Sequence, residues 1–192
     1  VLDSSPTMTD ENQDNFLSEV EENNEKSSYK NSYKVLARKY RPQNFEDLMG
    51  QVIMVQTLKN AFKTNRIAHA YILTGVRGIG KTTTARLLAR SLNYETETIN
   101  EPNIDMLELG KHCLEIMESR HIDVIEMDAA SRTGIADIRE IIDSVNYSPS
   151  SARYKIYIID EVHMLSKAAF NGLLKTLEEP PPHVKFIFAT TE

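Results

Sequence analysis

The chain predicts an α/β fold, a parallel sheet covered by helices on both faces in three layers. Three observations carry that expectation. Four short apolar runs, at residues 70–74, 122–127, 155–159 and 185–189, are separated by segments whose apolar residues recur at helical spacing. A glycine-rich stretch leads from the first run straight into a helical segment, and two carboxylates end the third run. Parallel neighbours need crossover connections, and helices supply them, so alternation of this kind implies a sheet buried on both sides.

Each element follows from its own residues. Val52, Val55, Leu58 and Phe62 predict a helix that begins after Gly50 and ends near Thr64. Residues 70–74 form the first buried strand, which leaves through Gly75. A helix over 81–93 places Ala85, Leu88 and Leu92 on one face. Leu107, Leu114 and Met117 suggest a third helix over 104–119. After the strand at 122–127, a helix starts at about Ile135 with Ile138, Ile142 and Val145 inward and stops before Pro149. The strand at 155–159 precedes a helix capped by Ser166, with Phe170, Leu173, Leu174 and Leu177 apolar, and Pro180-Pro181-Pro182 ends it. The last strand, 185–189, lies three residues from the end, so the chain reads as cut off.

Composition narrows the class further. Of 28 acids and 22 bases, residues 1–28 hold eight acids and one base, leaving 20 acids against 21 bases in the rest. The net charge of −6 therefore belongs to the first segment, which is rich in Asn, Ser and Glu and reads as a disordered acidic tail. The folded domain is expected over 29–192. No apolar run approaches the roughly 18 residues of a membrane span. A single cysteine, Cys113, excludes an intrachain disulfide. With no leader visible, the expected location is the cytoplasm.

Gly75-Val76-Arg77-Gly78-Ile79-Gly80-Lys81-Thr82 fits G-x-x-x-x-G-K-[ST] between a strand and a helix, the context this motif requires. Glycines let backbone N–H groups converge on phosphate oxygens at a helix N-terminus. Lys81 can reach the outer phosphates, and the Thr82 hydroxyl can ligate Mg²⁺. Asp160-Glu161 ends an apolar strand 79 residues after Lys81, with one strand and its helix between, the spacing of an additional-strand P-loop NTPase. Asp160 is expected to hold Mg²⁺ and Glu161 to orient and deprotonate a water. No N-K-x-D tetrapeptide for reading guanine is present, which favours ATP.

Other candidates are weaker. His112, Cys113 and His121 lack the paired C-x-x-C spacing of a zinc site, and Cys113 fits a core position. His69 and His163 fit surface or packing roles. Arg132 and Lys175 lie near helix ends, where solvated charge is the default and phosphate contact the alternative.

Longer phrases then point to a family. Residues 33–51 (YKVLARKYRPQNFEDLMGQ), 66–71 (RIAHAY), 128–133 (DAASRT), 160–165 (DEVHML) and 173–181 (LLKTLEEPP) resemble the gamma/tau subunits of bacterial DNA polymerase III, in order over about residues 32–192. The resemblance implies an AAA+ P-loop ATPase, the motor of a hetero-pentameric clamp loader that places a sliding clamp on primed DNA during replication. It is catalogued with DNA-directed DNA polymerase (nucleotidyltransferase) activity only through the holoenzyme. It also implies that Gly75 to Thr83 cradle ATP and that Asp160 and Glu161 are the Walker B acids. Thr191 matches the γ-phosphate sensor, and Val35, Arg38 and Pro42 belong to a stretch lining the adenine pocket. Arg132 and Lys175 fall where the family tracks DNA.

Two departures qualify that resemblance. The family's four-cysteine zinc module cannot be built with one cysteine, and Tyr94 stands where its first cysteine is expected, so no zinc is predicted. The chain also stops before the family's Ser-Arg-Cys arginine, last strand and helical lid, so this stretch alone is expected to hydrolyse ATP poorly. A helicase or branch-migration motor and a non-hydrolysing clamp-loader stator are the alternatives. Unwinding without a clamp would mark the helicase, and a damaged phosphate loop the stator.

Overall fold

The structure, a computed structural model, describes residue 36 and residues 40–192. It divides into two units, 1–41 and 42–192, and the architecture below is that of the second. The acidic segment 1–28 and the expectations placed on Val35 and Arg38 lie outside the described residues.

After a 3₁₀ turn at Phe45–Asp47, the elements run in order α1 (Val52–Lys63), β1 (Ala70–Thr74), α2 (Lys81–Leu92), α3 (Cys113–Met117), β2 (Val124–Asp128), α4 (Ile135–Val145) and β3 (Lys155–Asp160). A second 3₁₀ turn, Val162–Met164, precedes α5 (Lys167–Glu178) and β4 (Val184–Thr190). The four strands form one parallel sheet in the order β1-β4-β3-β2.

Side-chain alternation assigns the faces. In β3, Ile156 and Ile158 join the core under α1, α2 and α3, while Tyr157 and Ile159 join the core under α4 and α5. Leu87, Leu88 and Leu92 of α2 are fully buried in the first layer, and Ile138 and Leu173 in the second. Tyr157, Phe186 and Phe188 stack in a row through the second core, with centroids 5.4 and 5.8 Å apart. Ser166 caps α5 as expected, its hydroxyl accepting from Ala169 N at 3.2 Å. The outer edge of β1 pairs with no strand among the described residues, and Ile72 there is exposed.

Two expectations are corrected. The helix expected over 104–119 is five residues long, Cys113–Met117, and residues 94–112 form an irregular excursion. Leu107 and Leu114, two of the residues that suggested the longer helix, are exposed, so their spacing marks no buried face. Gly110 explains the break: its backbone lies so close to Glu95 that a Cβ there would meet the Glu95 carbonyl oxygen at 2.8 Å, and Lys111 N donates to that same oxygen. In α4, Ile138 and Val145 are buried as expected and Ile141 is buried with them, while Ile142 is only partly buried and packs at the edge of the same core, beside Gly172 of α5.

The register aligns the strand ends. Thr74 pairs with Thr190 and Asp128 with Asp160, and β4 lies between β1 and β3. The C-terminal edge therefore collects the loop after β1, the hydroxyl ending β4 and the carboxylate ending β3 in one row.

Candidate nucleotide-binding site

That row is where ligands bind in open parallel sheets. The loop between β1 and α2 turns through Gly78 (φ +83°) and Gly80 (φ +98°), conformations that any residue with a Cβ adopts only under strain. Gly80 is also the N-cap of α2 and offers no capping side chain, so the first N–H groups of the helix remain available to an anion. Val76, Arg77 and Ile79 form the exposed outer rim of the loop.

Lys81 lies in the loop's concavity with only 8% exposure, its Nζ donating to the Gly75 and Val76 carbonyl oxygens at 2.8 and 3.2 Å. An ammonium held by its own loop's carbonyls is already desolvated and aimed inward, so a phosphate replaces weak acceptors with charged ones. The Thr82 hydroxyl donates to the Asp160 Oδ2 carboxylate oxygen across 78 residues of chain. Asp160 Oδ1 accepts from Glu161 N at 2.9 Å, which fixes the carboxylate plane. A hydroxyl and a carboxylate oxygen converging beside a phosphate loop form a donor set suited to a hard cation such as Mg²⁺.

The expected residues thus separate into those the fold brings together and those it does not. Residues 75–83, Asp160 and Glu161 meet at one edge. Thr191 is exposed, and the hydroxyl that makes contacts there is that of Thr190, which is 7% exposed. Pro42 is half-buried in the segment before the first 3₁₀ turn, where Arg90 donates to the Gln43 carbonyl. Arg132, after β2, and Lys175, on α5, are exposed.

Sequence reasoning missed one support of the site. Arg86 of α2 makes a two-pronged pair with Glu126 of β2, at 3.0 and 2.6 Å, and Ser119 donates to the same carboxylate at 2.7 Å. This pins the helix carrying Lys81 and Thr82 to the sheet. The signal available was Glu126 itself, a charge in mid-strand between Ile125 and Met127. A cavity of about 540 Å³ between the end of α1 and residues 101–105 lies apart from this chemistry. Among the described residues, no group of three or more His, Cys, Asp and Glu side chains is arranged to hold a metal ion. No described helix is long and apolar enough to cross a membrane.

A four-stranded parallel sheet between helices, with a glycine loop after β1 and a carboxylate ending β3, defines a P-loop NTPase fold of the AAA+ kind. A Thermotoga maritima RuvB variant shares that fold, with a TM-score of 0.50 and 19% identity over 80% of this chain and 42% of its own. The family model described as "DNA polymerase III, delta subunit" matches residues 50–192, and the chain belongs to that family. Its relatives include DNA polymerase III subunit tau of Salmonella typhimurium, 53% identical over 84% of this chain and 24% of that protein. They also include subunit gamma of Buchnera aphidicola (53% identical, 84% of this chain and 44% of that protein) and subunit tau of Bacillus subtilis (50%, 84% and 28%). The chain spans less than half the length of each of these relatives.

Proposed function

We propose that this chain is the nucleotide-binding part of an ATP-driven motor subunit in a bacterial DNA polymerase III clamp loader. The observation that supports it most is the Thr82 hydroxyl donating to the Asp160 carboxylate, directly after a Lys81 whose ammonium is held in the glycine loop by the Gly75 and Val76 carbonyls. Kinship with gamma and tau subunits gives the reading its biological setting, DNA replication, and its partners: other clamp-loader subunits, a sliding clamp and primed DNA.

In this reading, residues 75–83 surround the phosphates with backbone N–H groups, and Lys81 releases its two carbonyls to neutralise their charge. Thr82 and Asp160 hold Mg²⁺, which supplies Lewis-acid stabilisation of charge on the phosphate oxygens when bound. Glu161 accepts the proton of the attacking water. Pro42, with Val35 and Arg38, borders the base, and Arg132 and Lys175 are the candidates for DNA phosphates.

Equilibrium dialysis of Mg·ATP against this chain, with Lys81→Ala as control, tests the reading. Saturable binding that the variant loses is the expected result. Absence of binding by a demonstrably folded chain would overturn the assignment of residues 75–83 as a self-sufficient nucleotide cradle.

A further inference from the structure

Glu161 is built unlike any other residue at the sheet edge. It adopts φ +49°, ψ +46°, a left-handed conformation that a side chain bearing a Cβ takes only under constraint. Its carboxylate lies beside His163 of the 3₁₀ segment Val162–Met164. There Oε2 is buried and has no hydrogen-bond partner. His163 Nδ1 lies 3.5 Å from Oε2.

The same Nδ1 lies 3.0 Å from the Thr190 hydroxyl at the end of β4. That hydroxyl accepts from Glu192 N at 3.1 Å and keeps a second lone pair, so a protonated Nδ1 can share its hydrogen between this hydroxyl and the carboxylate. One imidazole nitrogen therefore faces two oxygens, a hydroxyl that can give or take a hydrogen bond and a carboxylate that can only take one. The residue as a whole is exposed, but its side chain is 22% exposed, with the imidazole turned inward. Leu165, buried directly after the turn, holds the segment in place. A side chain serving only as a surface polar group has no reason to face both oxygens from a strained turn.

We propose that His163 is a positioning residue that sets the orientation of the Glu161 carboxylate and couples it, through the Thr190 hydroxyl, to the end of β4. This rests on the reading of Glu161 as the group that activates water. A carboxylate oxygen that is buried and unbonded gains by moving to any available donor. The imidazole decides in which direction that donor lies. Because Nδ1 is shared with Thr190, a displacement at the tip of β4 changes what the imidazole offers to Glu161. The coupling runs between two neighbouring strands without passing through the phosphate loop.

The test uses the full-length subunit in its assembled complex and measures ATP turnover and Mg·ATP binding separately. His163→Ala and Thr190→Val are each expected to lower kcat about tenfold while KM for ATP stays within about twofold, the pattern of lost orientation rather than lost binding. His163→Asn, which returns a side-chain donor close to the Nδ1 position, is expected to recover most of the rate. The double variant His163→Ala with Thr190→Val is expected to be no slower than His163→Ala alone, since both remove one linkage. Unchanged kcat in His163→Ala overturns the proposal. So do additive losses in the double variant, or a fall in thermal midpoint and activity together that His163→Asn does not repair. Glu161→Gln separates the two levels. Turnover that survives Glu161→Gln undermines the reading of Glu161 and takes the proposal with it, whereas turnover lost in Glu161→Gln but intact in His163→Ala removes the proposal alone.

Discussion

At the C-terminal edge of the sheet, the side chains of the candidate site are delivered by regular elements: Lys81 and Thr82 by the first turn of α2, Asp160 by the last residue of β3, Thr190 by the last residue of β4. Residues 94–123 leave the sheet instead and return to it with only five residues of helix. That excursion is held by individual hydrogen bonds. Tyr94 Oη donates to the Glu108 carbonyl at 3.0 Å, and Asn103 N donates to Ser91 O at 2.9 Å. Arg153 reaches in from the segment before β3 to the Leu92 and Tyr94 carbonyls and to Asn100 Oδ1. An edge-to-face pair, His112 Nδ1 and His121 Nε2 at 2.9 Å, closes its base, both rings nearly fully buried. The edge depends on where strands end; the excursion depends on contacts that no local pattern announces.

Asp123, at the junction of excursion and sheet, offers the hardest test of that contrast. It is 1% exposed and accepts from Ser150 N, Ser151 N, Ser151 Oγ and Ala152 N at 2.6 to 3.1 Å. Asp123→Ala orphans three backbone donors and is expected to cost about 3 kcal/mol or more, read as a lower midpoint in urea unfolding. If Mg·ATP binding below the new midpoint falls as well, the two regions are not separable.

Lys81→Ala acts at the other region. Removing one charge-assisted bond to phosphate is expected to weaken Mg·ATP binding by roughly ten- to a hundredfold. The unfolding midpoint should hardly move, because the ammonium now serves only two loop carbonyls. A large stability loss with little change in affinity would reverse the roles assigned to the two regions.

Gly110→Ala sharpens the comparison from within the excursion. The added Cβ meets a backbone oxygen at 2.8 Å, with Cys113 Sγ and a Tyr94 ring carbon both at 3.1 Å. About 1–3 kcal/mol of destabilisation is expected, with nucleotide affinity retained. Calorimetry paired with dialysis distinguishes that outcome from a neutral substitution.

The smallest effect is a pH dependence. Burial, and then the neighbouring His112, hold the His121 pKa below its usual 6.5. The unfolded chain therefore binds the proton first, so stability is full above about pH 6.5 and declines as pH falls toward the folded value. Burial pushes Asp123 upward, but the N–H groups of Ser150, Ala152 and Ser151 together outweigh it and leave its pKa below 3.8. Its contribution is present above that value and is lost only as pH falls through the lower folded one. Unfolding free energy measured from pH 8 to pH 5 is expected to fall, and His121→Asn to flatten that slope. A slope unchanged in the variant would assign it to other groups.

Much of the edge was legible in the amino-acid order, because its signals are local. The phosphate-loop spacing, the carboxylates at the end of an apolar run, and the Ser166 cap each report geometry within a few residues. Four strands followed from short apolar runs, and the helices at 52–63, 81–92, 135–145 and 167–178 from apolar residues at helical spacing. The 104–119 segment failed for the opposite reason: Leu107 and Leu114 have helical spacing, yet nothing local shows that Gly110 must pass against Glu95.

By itself, the sequence determined the layers, the parallel sheet and the chemical identity of the candidate phosphate-loop residues, because apolar patterning and backbone freedom act over one or two turns of chain. Strand order and register were decided only in three dimensions. They place β4 between β1 and β3, set the Thr190 hydroxyl rather than Thr191 against His163, and bring Glu126 to Arg86. Those contacts join residues tens of positions apart, where pairing depends on how whole faces pack and not on any spacing that the chain itself displays.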